Sequence, residues 1–193
     1  YYIMPIQTPI CDFGQKAHDF KLKSTDNKII SLNDVKGENG TLIMFICNHC
    51  PYVKAVTKDI VEDSKKLNDF GINTVAICAN DAENYPEDSF ENMILFAKKH
   101  QFSFPYLVDE TQEIAKTYDA VCTPDFFGYN KNLELQYRGR LRELKNLVPV
   151  REGESDLFKA MKQIAETGKG PESQTPSAGS VSYTHLRAHE TVS

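Results

Sequence analysis

TLIMFICNHC, residues 41–50, decides how the rest of the chain is read. Positions 42–47 are apolar or β-prone without a charge, as in a strand buried on both faces, and the run ends in Cys47-Asn48-His49-Cys50 before Pro51. The following stretch, 52–70, places Val53, Val56, Ile60, Ser64 and Leu67 along one face and Lys58, Asp63 and Lys66 elsewhere, which is helical periodicity. Two thiols therefore fall where a strand becomes a helix. Cys47 is expected to face the helix N-terminus, where unpaired N–H groups and the dipole favour a negative sulfur. Such a position lowers a thiol pKa from about 8.5 toward roughly 3.5–7.5, and the thiolate is the reactive form.

The 193 residues suffice for one domain with a full core. From Val181 the chain reads VSYTHLRAHETVS, which looks like a translated reading frame of a sequencing adaptor. Residues 181–193 are set aside on that ground, His185 and His189 with them, and the natural C-terminus is expected to be lost. One Arg and one Glu leave together, so the net charge of −5 is unchanged. With that charge and no Lys/Arg cluster, neither nucleic acid nor acidic lipid is an expected partner. No stretch is long and apolar enough to span a bilayer, so no membrane partner is expected either. The opening YYIMPIQTPICDFG lacks a basic n-region, an apolar run and an A-x-A-like site, which points to a cytoplasmic protein; because the chain does not begin with Met, an upstream segment is left open. Five cysteines are too few for a disulfide scaffold in so long a chain, and the odd number leaves at least one unpaired within it. A reducing compartment and a functional dithiol fit best.

Residues 1–12 read as an irregular N-terminal segment, followed by a short hairpin, 17–22 and 28–31, turning through Thr25-Asp26-Asn27. Gly71 stops the helix after the thiols, and INTVAIC, 72–78, is a second buried strand. An acidic loop leads to Asp88, which with Glu91 is expected to cap a helix whose apolar face is Phe90, Met93, Ile94 and Ala97. A third strand, 104–108, a short helix through Tyr118, two strands at 125–129 and 133–137 and a final helix, 155–167, complete the pattern. From Lys169 a Pro, Gly, Ser and Gln composition predicts a flexible tail over 169–180. The order β-α-β-α-β-α-β-β-α predicts an α/β fold with a mixed central β-sheet flanked by helices and an N-terminal β-hairpin extension.

That order, Cys-x-x-Cys at a strand-to-helix junction, Thr123-Pro124 ahead of the closing hairpin, and the blocks FICNHCPYVK, NYPEDS, FPYLVDETQ and CTPDFF together resemble the thioredoxin fold. The chain is most similar to thioredoxin-like proteins of the AhpC/TSA (alkyl hydroperoxide reductase and thiol-specific antioxidant) type, over residues 13–168. The resemblance implies that Cys47 is the exposed attacking thiol and Cys50 the resolving one. It also implies that Pro124 is a cis-proline whose loop lies against the pair, and that Thr123 offers its backbone to an extended substrate segment. The chain departs from thioredoxins in having no Trp and in carrying Ile46 before the motif and Asn48-His49 inside it. It departs from typical peroxiredoxins, Pro-x-x-x-Thr-x-x-Cys, because Met44 stands three before Cys47 and Cys47 three before Cys50, so the expected hydroxyl is missing.

The function this implies is thiol-disulfide exchange through a mixed disulfide, in antioxidant or redox homeostasis, with no cofactor. His49 and Asn48 are the redox-tuning candidates; an imidazolium beside the thiols would make the couple more oxidising than thioredoxin's, roughly −270 mV. Expected partners are protein or small-molecule disulfides and an electron donor such as a thioredoxin or glutathione system. Two alternatives stand: a peroxiredoxin-like peroxidase acting on peroxides, and a non-enzymatic copper or thiol carrier using Cys47, Cys50 and a histidine. Zinc is disfavoured because Cys11, Cys78 and Cys122 form no second spaced pair, and no metal site is assigned. Cys122, in the proline loop, reads either as a small core residue or as a third, alternative resolving thiol. Cys78 reads as core, Cys11 as mobile and incidental, His18 and His100 as lone histidines. Arg138 and Arg140 are expected either to meet the acids of 80–88 or to stay solvated.

Overall fold

The computed structural model describes residues 5–181. Its elements run β1 (Ile6–Gln7), β2 (Lys21–Ser24), β3 (Ile29–Ser31), α1 (Leu32–Val35), β4 (Gly40–Phe45), α2 (Pro51–Lys54), α3 (Thr57–Asn68) and β5 (Ile72–Cys78). After a 3-10 turn at Pro86–Asp88 come α4 (Phe90–Lys99), β6 (Tyr106–Val108), α5 (Glu113–Thr117), β7 (Asp125–Asn130), β8 (Leu135–Tyr137), β9 (Leu144–Lys145), β10 (Val148–Pro149), α6 (Asp156–Thr167) and β11 (Ala178–Gly179). Seven strands form the main sheet in the order β3-β2-β6-β5-β4-β7-β8. β4 pairs parallel with β5, and β5 with β6; the β2–β3, β2–β6, β4–β7 and β7–β8 pairs are antiparallel. This mixed sheet with helices on both faces is the thioredoxin-like arrangement expected from the sequence.

β4 lies inside the sheet and is buried along its whole length. Because alternate side chains point to opposite faces, Leu42, Met44 and Ile46 join one core with Ile60, Leu67, Met93, Phe158 and Ile164. Ile43 and Phe45 join the other with Leu32, Val35, Ala115 and Tyr118. Both faces of this strand are dry, which is why its sequence does not alternate.

Several boundaries differ from expectation for local reasons. The helix read over 52–70 is two pieces, broken at Val56 with φ −117° and ψ 3°. The Thr57 hydroxyl donates to the Val53 carbonyl at 2.7 Å, the acceptor that a continuous helix would have used for a backbone bond. Asp88 does not cap α4; Ser89 does, accepting from the Asn92 amide at 3.2 Å. Residues 169–180, whose composition predicts a flexible tail, cross back over the proline loop. Ala178 and Gly179 pair antiparallel with Gln7 and Ile6, and Thr8 and Arg140 donate their amides to Ser177 and Thr175 carbonyls. A Pro- and Ser-rich stretch forms no helix or long strand of its own, but its backbone groups find partners on neighbouring loops. The adaptor-like reading of 181–193 falls, apart from Val181, outside the described residues. Among those described, no helix is long and apolar enough to cross a membrane.

Candidate active site

Cys47 follows β4 and Cys50 is the N-cap of α2, so strand end and helix start bring the two sulfurs together. Both are free thiols, close but not bonded. The Thr123–Pro124 peptide is cis, and its loop faces the pair. Thr123 Oγ1 lies 3.5 Å from Cys47 Sγ, and Cys50 Sγ lies 3.3 Å from the Thr123 carbonyl oxygen. The structure thus joins Cys47, Cys50, Thr123 and Pro124, which stand far apart in the chain.

Neither thiol is exposed: Cys47 is at 0% and Cys50 at 1% of full accessibility, in place of the exposed attacking thiol implied by resemblance. The expected acidity is also reversed. Burial and the adjacent Cys50 sulfur push Cys47 well above the usual thiol range, and Asp88 adds to the rise. Cys50 is pulled down to about 5, chiefly by the hydrogen bond from Cys47, against the cost of burial, with Thr123, the Val53 amide and the Ser180 hydroxyl also donating to its thiolate. The two sulfurs share their ionisation, as an adjacent thiol pair does. Cys50 is the sulfur that stands at the N-cap of α2, three residues after Cys47.

A buried bracket holds the motif from the other side. Asp88, with its carboxylate at 0% exposure, accepts the Asn48 amide at 2.7 Å, hydrogen-bonds His49 Nδ1 and accepts from the Asn80 side chain. Asn48 donates to the Glu87 carbonyl at 3.0 Å and accepts the Tyr106 hydroxyl at 2.8 Å. The His49 ring stacks on Tyr85 with centroids 4.9 Å apart and planes 7° from parallel. Its pKa is raised, first by the Asp88 hydrogen bond. The imidazole beside the thiols is therefore already paired with a carboxylate. Asp88, Asn80 and Tyr106 are absent from the sequence-based site; NYPEDS contained Asp88, but a local capping rule accounted for it.

Cys47, His49 and Asp88 place one sulfur, one nitrogen and one oxygen within 4.8 Å of one another, a donor set that suits a borderline or soft metal ion. The other candidates lie elsewhere or are shielded. Cys122 is fully buried, its thiol donates weakly to the Pro124 carbonyl at 3.6 Å, and burial pushes its pKa far up, so the proline loop holds it as a protonated core thiol. Cys78 is raised to about 12 by burial, and Cys11, expected to be mobile, is buried and raised to about 11. Arg138 does not meet the 80–88 loop. It pairs with buried Asp125 at 2.9 Å and stacks over Phe127, while Arg140 pairs with Asp156 at 2.7 Å. His18 and His100 pack on Tyr118 and Phe96.

Residues 13–143 match the AhpC/TSA family, and the chain belongs to it. The membership places this protein among redox enzymes built on the thioredoxin-like fold. An uncharacterized conserved protein from Geobacillus kaustophilus is 39% identical in its crystal structure, with a TM-score of 0.89 over 95% of this chain and 97% of that one. The thiol-disulfide oxidoreductase ResA of Bacillus thuringiensis subsp. konkukian is 25% identical over 121 residues, 63% of this chain and 65% of its own length. The match thus spans a little under two thirds of that relative. The peroxiredoxin Bcp of Bacillus subtilis is 20% identical over 161 residues, 80% of this chain and 98% of its own.

Proposed function

We propose that this protein is a thiol-disulfide oxidoreductase working through Cys47 and Cys50. The observation that carries this reading is geometric: two adjacent free thiols at a strand-to-helix junction, both within reach of Thr123 in the cis-proline loop. The Cys50 thiolate attacks one sulfur of a partner disulfide, and the other partner sulfur leaves as a thiolate and takes up a proton. Cys47 then loses its proton and attacks the Cys50 sulfur. A Cys47–Cys50 disulfide forms, and the partner departs as a dithiol. Two electrons pass to the partner with two protons, one from Cys47 and one from solvent, and an external reductant, a thioredoxin-type dithiol or two molecules of glutathione, restores the enzyme. Protein or small-molecule disulfides are the substrate class, and a reducing cytoplasm is the compartment in which this direction runs.

Insulin disulfide reduction, measured for wild type, Cys47→Ser and Cys50→Ser, tests the reading. Both variants are expected to lose turnover, and only Cys47→Ser should accumulate the mixed disulfide. Equal rates in all three proteins would overturn it in favour of a binding role.

Peroxide reduction is a second reading with one specific support. Thr123 supplies, from a distant loop, a hydroxyl 3.5 Å from Cys47, where the local sequence has none. Hydrogen peroxide consumption that is lost in Thr123→Val while insulin reduction persists would favour it.

A further inference from the structure

The two sulfurs are inaccessible although they stand at a loop-to-helix junction, and the chain's own segment 177–180 lies on the proline loop that faces them. Ser180 and Thr123 form a reciprocal antiparallel pair: the Thr123 amide donates to the Ser180 carbonyl and the Ser180 amide to the Thr123 carbonyl, each at 3.2 Å. Gly179 lies so close to this loop that a Cβ added there would collide with the Thr123 carbonyl oxygen and carbon. The Ser180 hydroxyl reaches the Cys50 sulfur. Upstream, the Ser177 hydroxyl donates to the Pro124 carbonyl at 2.8 Å, and the Thr8 amide donates to the Ser177 carbonyl at 2.9 Å. An extended segment thus lies on the proline loop with a small polar side chain presented to the thiol pair.

We propose that residues 177–180 are a built-in pseudo-substrate, occupying the edge of Thr123 on which an extended partner peptide would pair and placing Ser180 where the partner's reacting cysteine would sit. Strand addition of this kind draws its affinity from main-chain hydrogen bonds, and a single free backbone edge accepts one occupant at a time. The segment must therefore detach before a protein disulfide reaches Cys50. Its register also defines the partner. The residue before the reacting cysteine must be glycine, because position 179 faces the Thr123 carbonyl with no room for a side chain. A cleft of about 620 Å³ bordered by Tyr52, Pro124, Phe126 and Leu141 adjoins the same loop and offers space for the side chains of a docked segment. The docking role rests on the exchange reading above, whereas the covering of the sulfurs does not.

Alkylation separates the two, because iodoacetamide needs only an accessible thiolate and no turnover. In the full chain, Gly179→Val is expected to displace the segment and to speed modification of Cys50 about tenfold or more, the scale set by losing two backbone hydrogen bonds. An unchanged rate in a folded variant overturns the proposal. Ser180→Cys supplies the second test and leaves the backbone pairing intact. Treated with oxidised glutathione, which accepts the two electrons, it should form a 180–50 disulfide detectable by mass mapping. A thiol that stays free at position 180 while Cys47 and Cys50 oxidise to each other would equally overturn it. Fast alkylation of Gly179→Val without insulin reduction would uphold the cover and refute the exchange function.

Discussion

The two flanks of the dithiol are held by different kinds of bond. On the His49 side, Asp88 is fully buried and satisfies the Asn48 amide, the His49 ring and the Asn80 side chain together. On the Thr123 side, the contacts are a pair of 3.2 Å backbone bonds and the Ser177 hydroxyl bond to Pro124, made by a segment whose short strand pairs with two residues of β1. Removing the buried carboxylate strands several polar groups without water, while lifting the segment exposes groups that water can satisfy. One flank is therefore a fixed bracket and the other a cover that opens at low cost, the division expected between a site's scaffold and its moving part.

Asp88→Ala should produce the largest effect. It leaves the Asn48 amide and its other donors unpaired in the interior, for a loss of about 3 kcal/mol. In a chain of this size that lowers the melting temperature by roughly 6–12 °C. A calorimetric shift no larger than that of a surface substitution would mean the bracket is not the fixed side. Ser177→Ala removes one hydroxyl anchor from the cover, worth about 1 kcal/mol. The expected result is a roughly fivefold faster alkylation of Cys50 with little change in melting. A larger loss of stability than in Asp88→Ala would reverse the comparison.

The smallest effect is the pH dependence of His49. Its folded pKa is raised by Asp88, so the protonated ring contributes stability that is fully present below its unfolded pKa, about 6.5, and is lost as pH rises through the folded value. Urea melts should therefore show the gap between wild type and His49→Gln narrowing from pH 6 to pH 9. Because a quarter of the side chain is exposed, the contribution stays within about 1 kcal/mol. A gap that widens with pH would show that the ring is bound as the neutral imidazole.

Much of this was legible along the chain. The unbroken run 42–47, the INTVAIC strand and the Ser155-to-Gly168 helix each carry their own period and end signals, and each appears within a residue or two of its expected bounds. The thiol pair and Thr123-Pro124 were visible as short motifs. Asp88 was not legible as a site residue, because a capping acid and a buried bracket look alike in one dimension and Ser89 beside it was equally able to cap. Which sulfur occupies the N-cap was not legible for a related reason: the motif shows that a helix begins nearby, but not at which residue.

Local pattern thus settled which residues are strand, which are helix and which sulfurs are reactive candidates, since hydrophobic period and cap chemistry act over a few neighbours. Whether those sulfurs meet solvent, which groups lie against them, and what lies across the proline loop depended on residues up to a hundred or more positions apart. Burial is a property of packed neighbours, and the core on one face of β4, Asp88 and the proline loop supply those neighbours.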